Sequence, residues 1–142
     1  MMKLVLGGFV VSAVLLAGGD DAAIKKERAK FKGTWKITRF ETSKGEEDKG
    51  KDITLTFGDD GSLEMRKGNE SKKGSYKVRP DAKPKEIDLH AEDEKDVGRG
   101  IYVFEKDKIK LCFTDGKDTE RPKEFAIKDG SRTIIVTLER AK

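Results

Sequence analysis

The chain has 142 residues, of which 35% are hydrophobic and 41% charged; at this length it has material for one small core and no room for a second domain. Its net charge of +4 is the small excess of 31 basic over 27 acidic residues. The two signs alternate, as in Lys44 to Asp52 (KGEEDKGKD) and Asp115 to Arg121 (DGKDTER). That mixture excludes the one-sided basic face of a nucleic-acid binder and reads as solvated loop surface.

At the N-terminus, Met1-Met2-Lys3 gives a short positive start, Leu4 to Leu16 an apolar stretch, and Ala17-Gly18-Gly19 a run of small residues before Asp20-Asp21. This is the layout of a signal peptide over residues 1–19, which leaves residues 20–142 as the folded domain. Cleavage is expected after Gly19, with Ala22 and Ala23 as alternatives and an uncleaved N-terminal anchor as the other reading. The apolar stretch is shorter than the roughly 20 residues a helix needs to span a bilayer, so no stable membrane span is expected once the signal is removed. Gly19 stands where a lipoprotein would carry its lipid-bearing cysteine. The expected location is therefore exported, periplasmic or extracellular.

From Ala22 to Phe31 the spacing predicts a short amphipathic helix, with Asp20 or Asp21 as N-cap, Ile24 and Phe31 on one face together with Arg28 or Ala29, and Gly33 as its stop. It is placed to lie over one mouth of a barrel. After Gly33 the period drops to two. Apolar positions alternate with polar ones at Trp35 and Ile37; Ile53, Leu55 and Phe57; Leu63 and Met65; Tyr76 and Val78; and Ile87 and Leu89. The pattern continues with Ile101 and Val103; Ile109, Leu111 and Phe113; Phe125 and Ile127; and Ile134, Val136 and Leu138. Turn signals separate these runs, among them Gly58-Asp59-Asp60-Gly61, Lys67-Gly68-Asn69, Asp81-Ala82-Lys83-Pro84, Lys106-Asp107-Lys108, Asp115-Gly116 and Asp129-Gly130-Ser131. The reading is all-β, an antiparallel up-and-down barrel of about eight or nine strands, because one-sided alternation needs a closed or covered inner face. A two-sheet sandwich is the alternative. The loop from Thr42 to Asp52 is expected to be long and mobile.

Chemistry is sparse in the sequence. Cys112 is the single cysteine, so the chain can form no intramolecular disulfide, and its place between Leu111 and Phe113 suits packing rather than nucleophilic attack. His90 is the single histidine and, next to an inward Leu89, is expected to face water. Glu46-Glu47-Asp48 and Glu92-Asp93-Glu94 with Asp96 offer oxygen atoms, but lack the spacing that wraps calcium, and one His with one Cys falls short of a zinc set. No catalytic residue, metal site or cofactor is expected, and the protein is read as not an enzyme.

Gly33-Thr34-Trp35 opens the first strand directly after the helix, and Gly74-Ser75-Tyr76, Pro84-Lys85-Glu86-Ile87-Asp88-Leu89, Gly100-Ile101-Tyr102, Ile109-Lys110-Leu111-Cys112-Phe113 and Arg121-Pro122-Lys123-Glu124-Phe125 follow in order. From about Ala23 to Arg140 these residues resemble a family of small exported lipocalin-like domains found in multiple copies in planctomycete bacteria. The resemblance implies a lipocalin-like barrel and brings no established activity and no catalytic residues. It also implies that Trp35 plugs one end of the barrel under an arginine from the last strand. Arg140 is the natural candidate for that arginine, and Arg121 is its competitor. Losing Trp35 is then expected to cost on the order of 3–5 kcal/mol of stability.

Two roles remain open. In one, the barrel of a monomer holds a small apolar ligand among Trp35, Ile37, Leu55, Phe57, Met65, Tyr76, Leu89, Leu111 and Phe113, since eight strands enclose a space that side chains just fill or that one small ligand occupies. In the other, the barrel is filled and acts as an interaction module, meeting another exported protein or the envelope through the loops Thr42 to Asp52 and His90 to Gly98. Neither role involves nucleic acid.

Overall fold

Alternation downstream of Gly33 becomes nine strands in the computed structural model, which describes residues 15–48, 50–95, 97–114 and 120–141, with side chains from residue 21 onward. The signal-like segment up to residue 14, the turn at Asp115-Gly116 and Asp96 of the second acidic cluster lie outside the described residues. One helix, α1 (Leu15–Phe31), precedes the strands β1 (Gly33–Thr42), β2 (Gly45–Glu47), β3 (Ile53–Phe57), β4 (Ser62–Lys67), β5 (Glu70–Arg79), β6 (Glu86–Ala91), β7 (Val97–Glu105), β8 (Lys108–Thr114) and β9 (Thr133–Arg140). Among the described residues no helix is long and apolar enough to cross a membrane.

Every strand pairing is antiparallel, β1 and then β3 through β9 follow one another around the sheet, and β9 pairs back onto β1. The result is a closed up-and-down barrel of eight strands of the lipocalin-like all-β kind, with β2 as a ninth strand outside the ring. Closure leaves no ring strand with a free long edge, which suits a chain without a disulfide to protect it. Trp35, Leu55, Phe57, Leu63, Tyr76, Val78, Ile87, Tyr102, Ile109, Leu111, Val136 and Leu138 fill the inside together with Phe31 of the helix.

Four local expectations are corrected. The helix is already formed at Leu15, the first described residue, with Leu15, Leu16 and Ala17 as good helix formers, so Asp20 and Asp21 lie inside it and not at an N-cap position. Its inner face is Ile24, Glu27, Arg28 and Phe31, while Ala29 is exposed. Part of the loop from Thr42 onward is ordered as β2, which pairs Phe40 with Glu47 and Thr42 with Gly45. Thr42 Oγ1 fastens that hairpin by donating to Glu47 Oε2 at 2.6 Å.

The pair Phe125 and Ile127 forms no strand. Both edges of β8 are already taken, by β7 and β9, so residues 120–132 cross the outside of the barrel as an irregular strap. In β7 the phase is also the reverse of that expected: Tyr102 and Phe104 pack with the core, and Ile101 and Val103 point outward. Ile101 is nonetheless buried, in one cross-strand row with Cys112 and Ile135 on the outer wall where the strap passes.

A bulge explains one further residue. The β1–β9 ladder slips between Ile37 and Arg39, leaving Thr38 as the extra residue. Beyond it Phe40 returns to the inner side and packs against the core. Without the slip, strict alternation would have put Arg39 and Glu41 inside.

The helix seals one end. Phe31 is fully buried, with its ring centroid 5.2 Å from Phe57, 5.6 Å from Tyr76, 5.1 Å from Tyr102 and 5.0 Å from Phe104. Tilted and edge-on aromatic pairs of this kind add about 0.5–1.5 kcal/mol each beyond the area they bury. Replacing Phe31 by Ala leaves a hole that four rings border, and the expected loss is about 3–5 kcal/mol, read as a fall in Tm of about 10–20 °C by thermal unfolding followed by circular dichroism.

Candidate functional site at the open end of the barrel

The two ends of the barrel are built differently. At the closed end lie Phe31 and its four aromatic neighbours, together with Trp35. The Trp35 Nε1–H donates to the Phe31 carbonyl at 2.7 Å, and the Arg140 guanidinium lies 4.3 Å from the centre of the Trp35 ring. Arg140 also donates to the carbonyls of Lys32 at 2.7 Å and Lys30 at 3.1 Å. These carbonyls end a helix and have no partner within it, so the two side chains complete its hydrogen bonding. Arg140 therefore holds the place that the resemblance implied. Arg121 does not compete for it: its guanidinium donates to the carbonyls of Ile87 and Gly100 and pairs with Asp88 at 2.8 Å, anchoring the strap to β6 and β7.

At the open end the apolar residues are only half-buried: Ile37, Phe40, Ile53, Leu89, Phe113 and Ile134 pack against the rim of the core. Met65, 38% exposed, is the one large apolar side chain exposed among the described residues. Between β4, β5, β6 and β7 a cleft of about 290 Å³ opens there, with Leu63, Met65, Leu89 and Val97 as its apolar lining. Gly74, Ala91 and Gly98 also border it, and Lys72, Lys73, His90 and Glu94 complete its wall.

The space comes from small residues at inward positions. Register pairs Leu63 with Gly74, Gly74 with Ala91, and Leu89 with Gly98, so one large side chain on each of β4 and β6 faces neighbours that have little or none. A Cβ at Gly74 would run into the His90 carbonyl, which accounts for glycine there. At Gly98 the situation differs: a Cβ would sit 3.7 Å from the Leu89 oxygen and 3.8 Å from the Phe113 ring, ordinary contact distances. A side chain at Gly98 would thus be met at ordinary contact, and the backbone does not require glycine there. One turn of the ladder further in, the Phe113 ring covers Gly100 and closes the floor on that side.

Of the nine interior residues expected to surround a ligand, Met65 and Leu89 line this cleft. Trp35, Leu55, Phe57, Tyr76 and Leu111 are filled core, while Ile37 and Phe113 lie half-buried on the rim. Leu63 belongs to the alternating pattern but was not among the nine, and the cleft residues outside the pattern include Gly74, Ala91, Val97 and Gly98. Larger recesses of about 500 Å³ and 490 Å³ lie along the strap and beside the β1–β2 turn, and most of their lining residues are polar or charged.

Of the single cysteine and the single histidine, Cys112 lies apart from the cleft, whereas His90 is part of its wall. Cys112 is fully buried on the outer wall, and its thiol lies 3.7 Å from the Glu124 carbonyl of the strap. Burial pushes its pKa up to about 11. His90 pairs across the sheet with Ser75 and Val97. The carboxylate two residues before it, Asp88, is committed to Arg79 at 3.1 Å and Arg121 at 2.8 Å. Among the described residues no three His, Cys, Asp or Glu side chains converge to hold a metal ion.

One buried charge was not legible as such in the sequence. Glu27 is 4% exposed and accepts from Tyr102 Oη at 2.6 Å and from Lys85 Nζ at 3.1 Å, with Lys30 Nζ at 3.4 Å. Burial alone would raise the carboxyl pKa. The Tyr102 hydrogen bond, the Lys85 hydrogen bond and charge, and the Lys30 charge outweigh it and hold the group below the usual carboxylate value. Burial, and then the Glu27 hydrogen bond, drive the Tyr102 phenol well above its ordinary value, so it remains the donor.

Compared with family models, with curated proteins and with solved structures, the chain finds no match. What the site can do must therefore be argued from its own geometry.

Two outcomes are expected. A group whose folded pKa is depressed stabilises the protein above its ordinary titration range and loses that contribution as the pH falls through the folded value. Glu27→Gln should therefore cost about 1.5–3 kcal/mol at neutral pH, the range for hydrogen bonds to a charged group, and the difference from wild type in urea unfolding should shrink below about pH 4. For Cys112, a thiol reagent applied at pH 8 should leave the native protein unmodified over the time in which it fully labels the urea-unfolded chain.

Proposed function

We propose that this protein is an exported, non-enzymatic lipocalin-like barrel that binds a small apolar ligand at its open end, and that it belongs with the planctomycete domains its motifs resemble. The observation that carries this reading is the cleft between β4 and β7, where apolar side chains remain half-buried around glycines that leave room for a guest. Ligand pockets are concave and mostly apolar, with a few polar groups at fixed places, and about 300 Å³ marks their lower bound. The ligand is correspondingly small.

A binding role without catalysis fits the inert Cys112 thiol and the commitment of Asp88, two residues from His90, to two arginines. Export is supported by the signal-like layout of residues 1–19. The residues by which α1 seals the barrel, Ile24, Glu27, Arg28 and Phe31, all lie beyond the candidate cleavage positions at Gly19, Ala22 and Ala23, so processing at any of them keeps the seal. The interaction-module reading relies on a filled barrel, which the cleft does not favour.

The test is binding of a neutral apolar fluorophore, N-phenyl-1-naphthylamine, to the mature protein. Saturable fluorescence enhancement with one site per chain is expected. Gly98→Leu places a side chain beside Leu89, its Cβ at ordinary contact distance from the Leu89 carbonyl and the Phe113 ring, and should weaken binding about tenfold or more while leaving the far-ultraviolet circular dichroism spectrum unchanged. An unaltered fluorophore affinity in that variant would falsify the assignment of the cleft.

A further inference from the structure

We propose that the ligand of the open-end cleft is an anionic amphiphile, a short aliphatic chain ending in a carboxylate or similar acid group, with Lys72 receiving its head and Lys73 adding positive charge at the border. The proposal rests on the reading of the cleft as a ligand site and adds the chemical class of what enters it.

Strand phase singles out Lys72. Leu63 and Met65 of β4 are on the inner side, and Met65 lies directly opposite Lys72. Counting by twos along β5, Lys72 therefore shares the inward phase with Gly74, Tyr76 and Val78. Tyr76 and Val78 are buried core, whereas Lys72 occupies the same phase at the rim. A lysine in the inward row of a barrel strand is not needed for solubility, since the outer row already carries Lys73, Lys77 and Arg79. At the mouth it puts an ammonium group beside an apolar floor, with its long stem able to lie along that floor.

The charges around the cleft favour an anion over a cation. Lys72 and Lys73 both line it from a strand, while the lining contains one carboxylate, Glu94, from the turn after β6. Asp93 does not line the cleft. It meets Lys72 Nζ only at 3.9 Å, with both side chains more than half exposed, 57% and 65%. A pair so long and so wet holds its lysine weakly, so an incoming acid group can take the ammonium without breaking a strong contact. Apolar contact from Leu63, Met65, Leu89 and Val97 would then carry the chain, and Lys72 would orient its head toward solvent.

Displacement of N-phenyl-1-naphthylamine from the mature protein by decanoate, decanol and decylamine, at low and at high salt, decides the question. Decanoate is expected to bind about threefold to tenfold more tightly than decanol at low salt, decylamine more weakly than both, and the preference should fade as salt is raised. In Lys72→Glu/Lys73→Glu, decylamine should overtake decanoate. If decanol competes as well as decanoate, or decylamine better, the head-group assignment is overturned while the apolar cleft stands. If none of the three displaces the fluorophore, or the fluorophore itself does not bind, the cleft reading fails and the head-group assignment with it.

Discussion

The barrel depends on how the end of its one helix is fastened beneath it. Phe31 is the last residue of α1 and also the centre of the aromatic cluster that fills the closed end. Its position is fixed because its own carbonyl accepts from Trp35 Nε1 while Arg140 accounts for the carbonyls on either side. Three distant parts of the chain thus meet at one helix terminus: the helix, the first strand and the last. The cation over the indole face adds about 0.5–2 kcal/mol, but the larger effect is geometric. With those carbonyls satisfied, the helix end can be buried against apolar rings, which an unsatisfied terminus could not be. Glu27, one turn back, completes the attachment from the side by binding Tyr102 and Lys85.

Sealing one end with aromatics has consequences for the other. A barrel of eight strands has an interior that side chains can nearly fill, and here the large residues are concentrated near the helix. Toward the opposite mouth the inward positions become Gly74, Ala91 and Gly98, and the apolar residues left there cannot cover one another completely. Met65, exposed at the mouth, is the visible result. The strap of residues 120–132 plays a different part. It shields the outward-facing Ile101 and Cys112, held down by Arg121 through two carbonyls and two carboxylates, so the wall of β7 and β8 is apolar on both faces. Those strands are covered on the inside by the core and, where the strap passes, on the outside as well.

Much of the architecture could be read from two-residue periodicity, because burial on one face imposes that period directly on the sequence. Trp35, Leu55, Phe57, Ile109, Leu111 and Leu138 obey it and are all buried. The period fails where a local event changes phase or covering. In β7, Ile101 and Tyr102 are both apolar enough to face inward, and the choice falls to Tyr102 because Glu27 gives its hydroxyl a partner inside, while Ile101 finds cover under the strap. The strap itself looked like a strand because Phe125 and Ile127 alternate; only closure of β9 onto β1, a contact between distant parts of the chain, removes the edge it would have needed. Similarly, β1 changes phase at Thr38, and the signal for it was present in Trp35, Ile37 and Phe40, whose spacing breaks from even to odd. The cleft was hidden for a plainer reason: a search for large apolar side chains finds what fills a space, whereas a cavity is written in the residues that do not.

Closure between β1 and β9 also governs the order in which the barrel can form. Neighbouring hairpins from β3 to β8 join residues close in sequence and can assemble early, but the last seam unites Trp35 with Arg140 across nearly the whole domain. Contacts of such separation require a large loop to be closed before they return any stabilisation, and folds dominated by them are slow. The seal at Phe31 shares this seam, since Arg140 arrives with β9. Until the final strand is delivered, the arginine that fastens the helix end is missing and the sheet is an open ribbon with two raw edges.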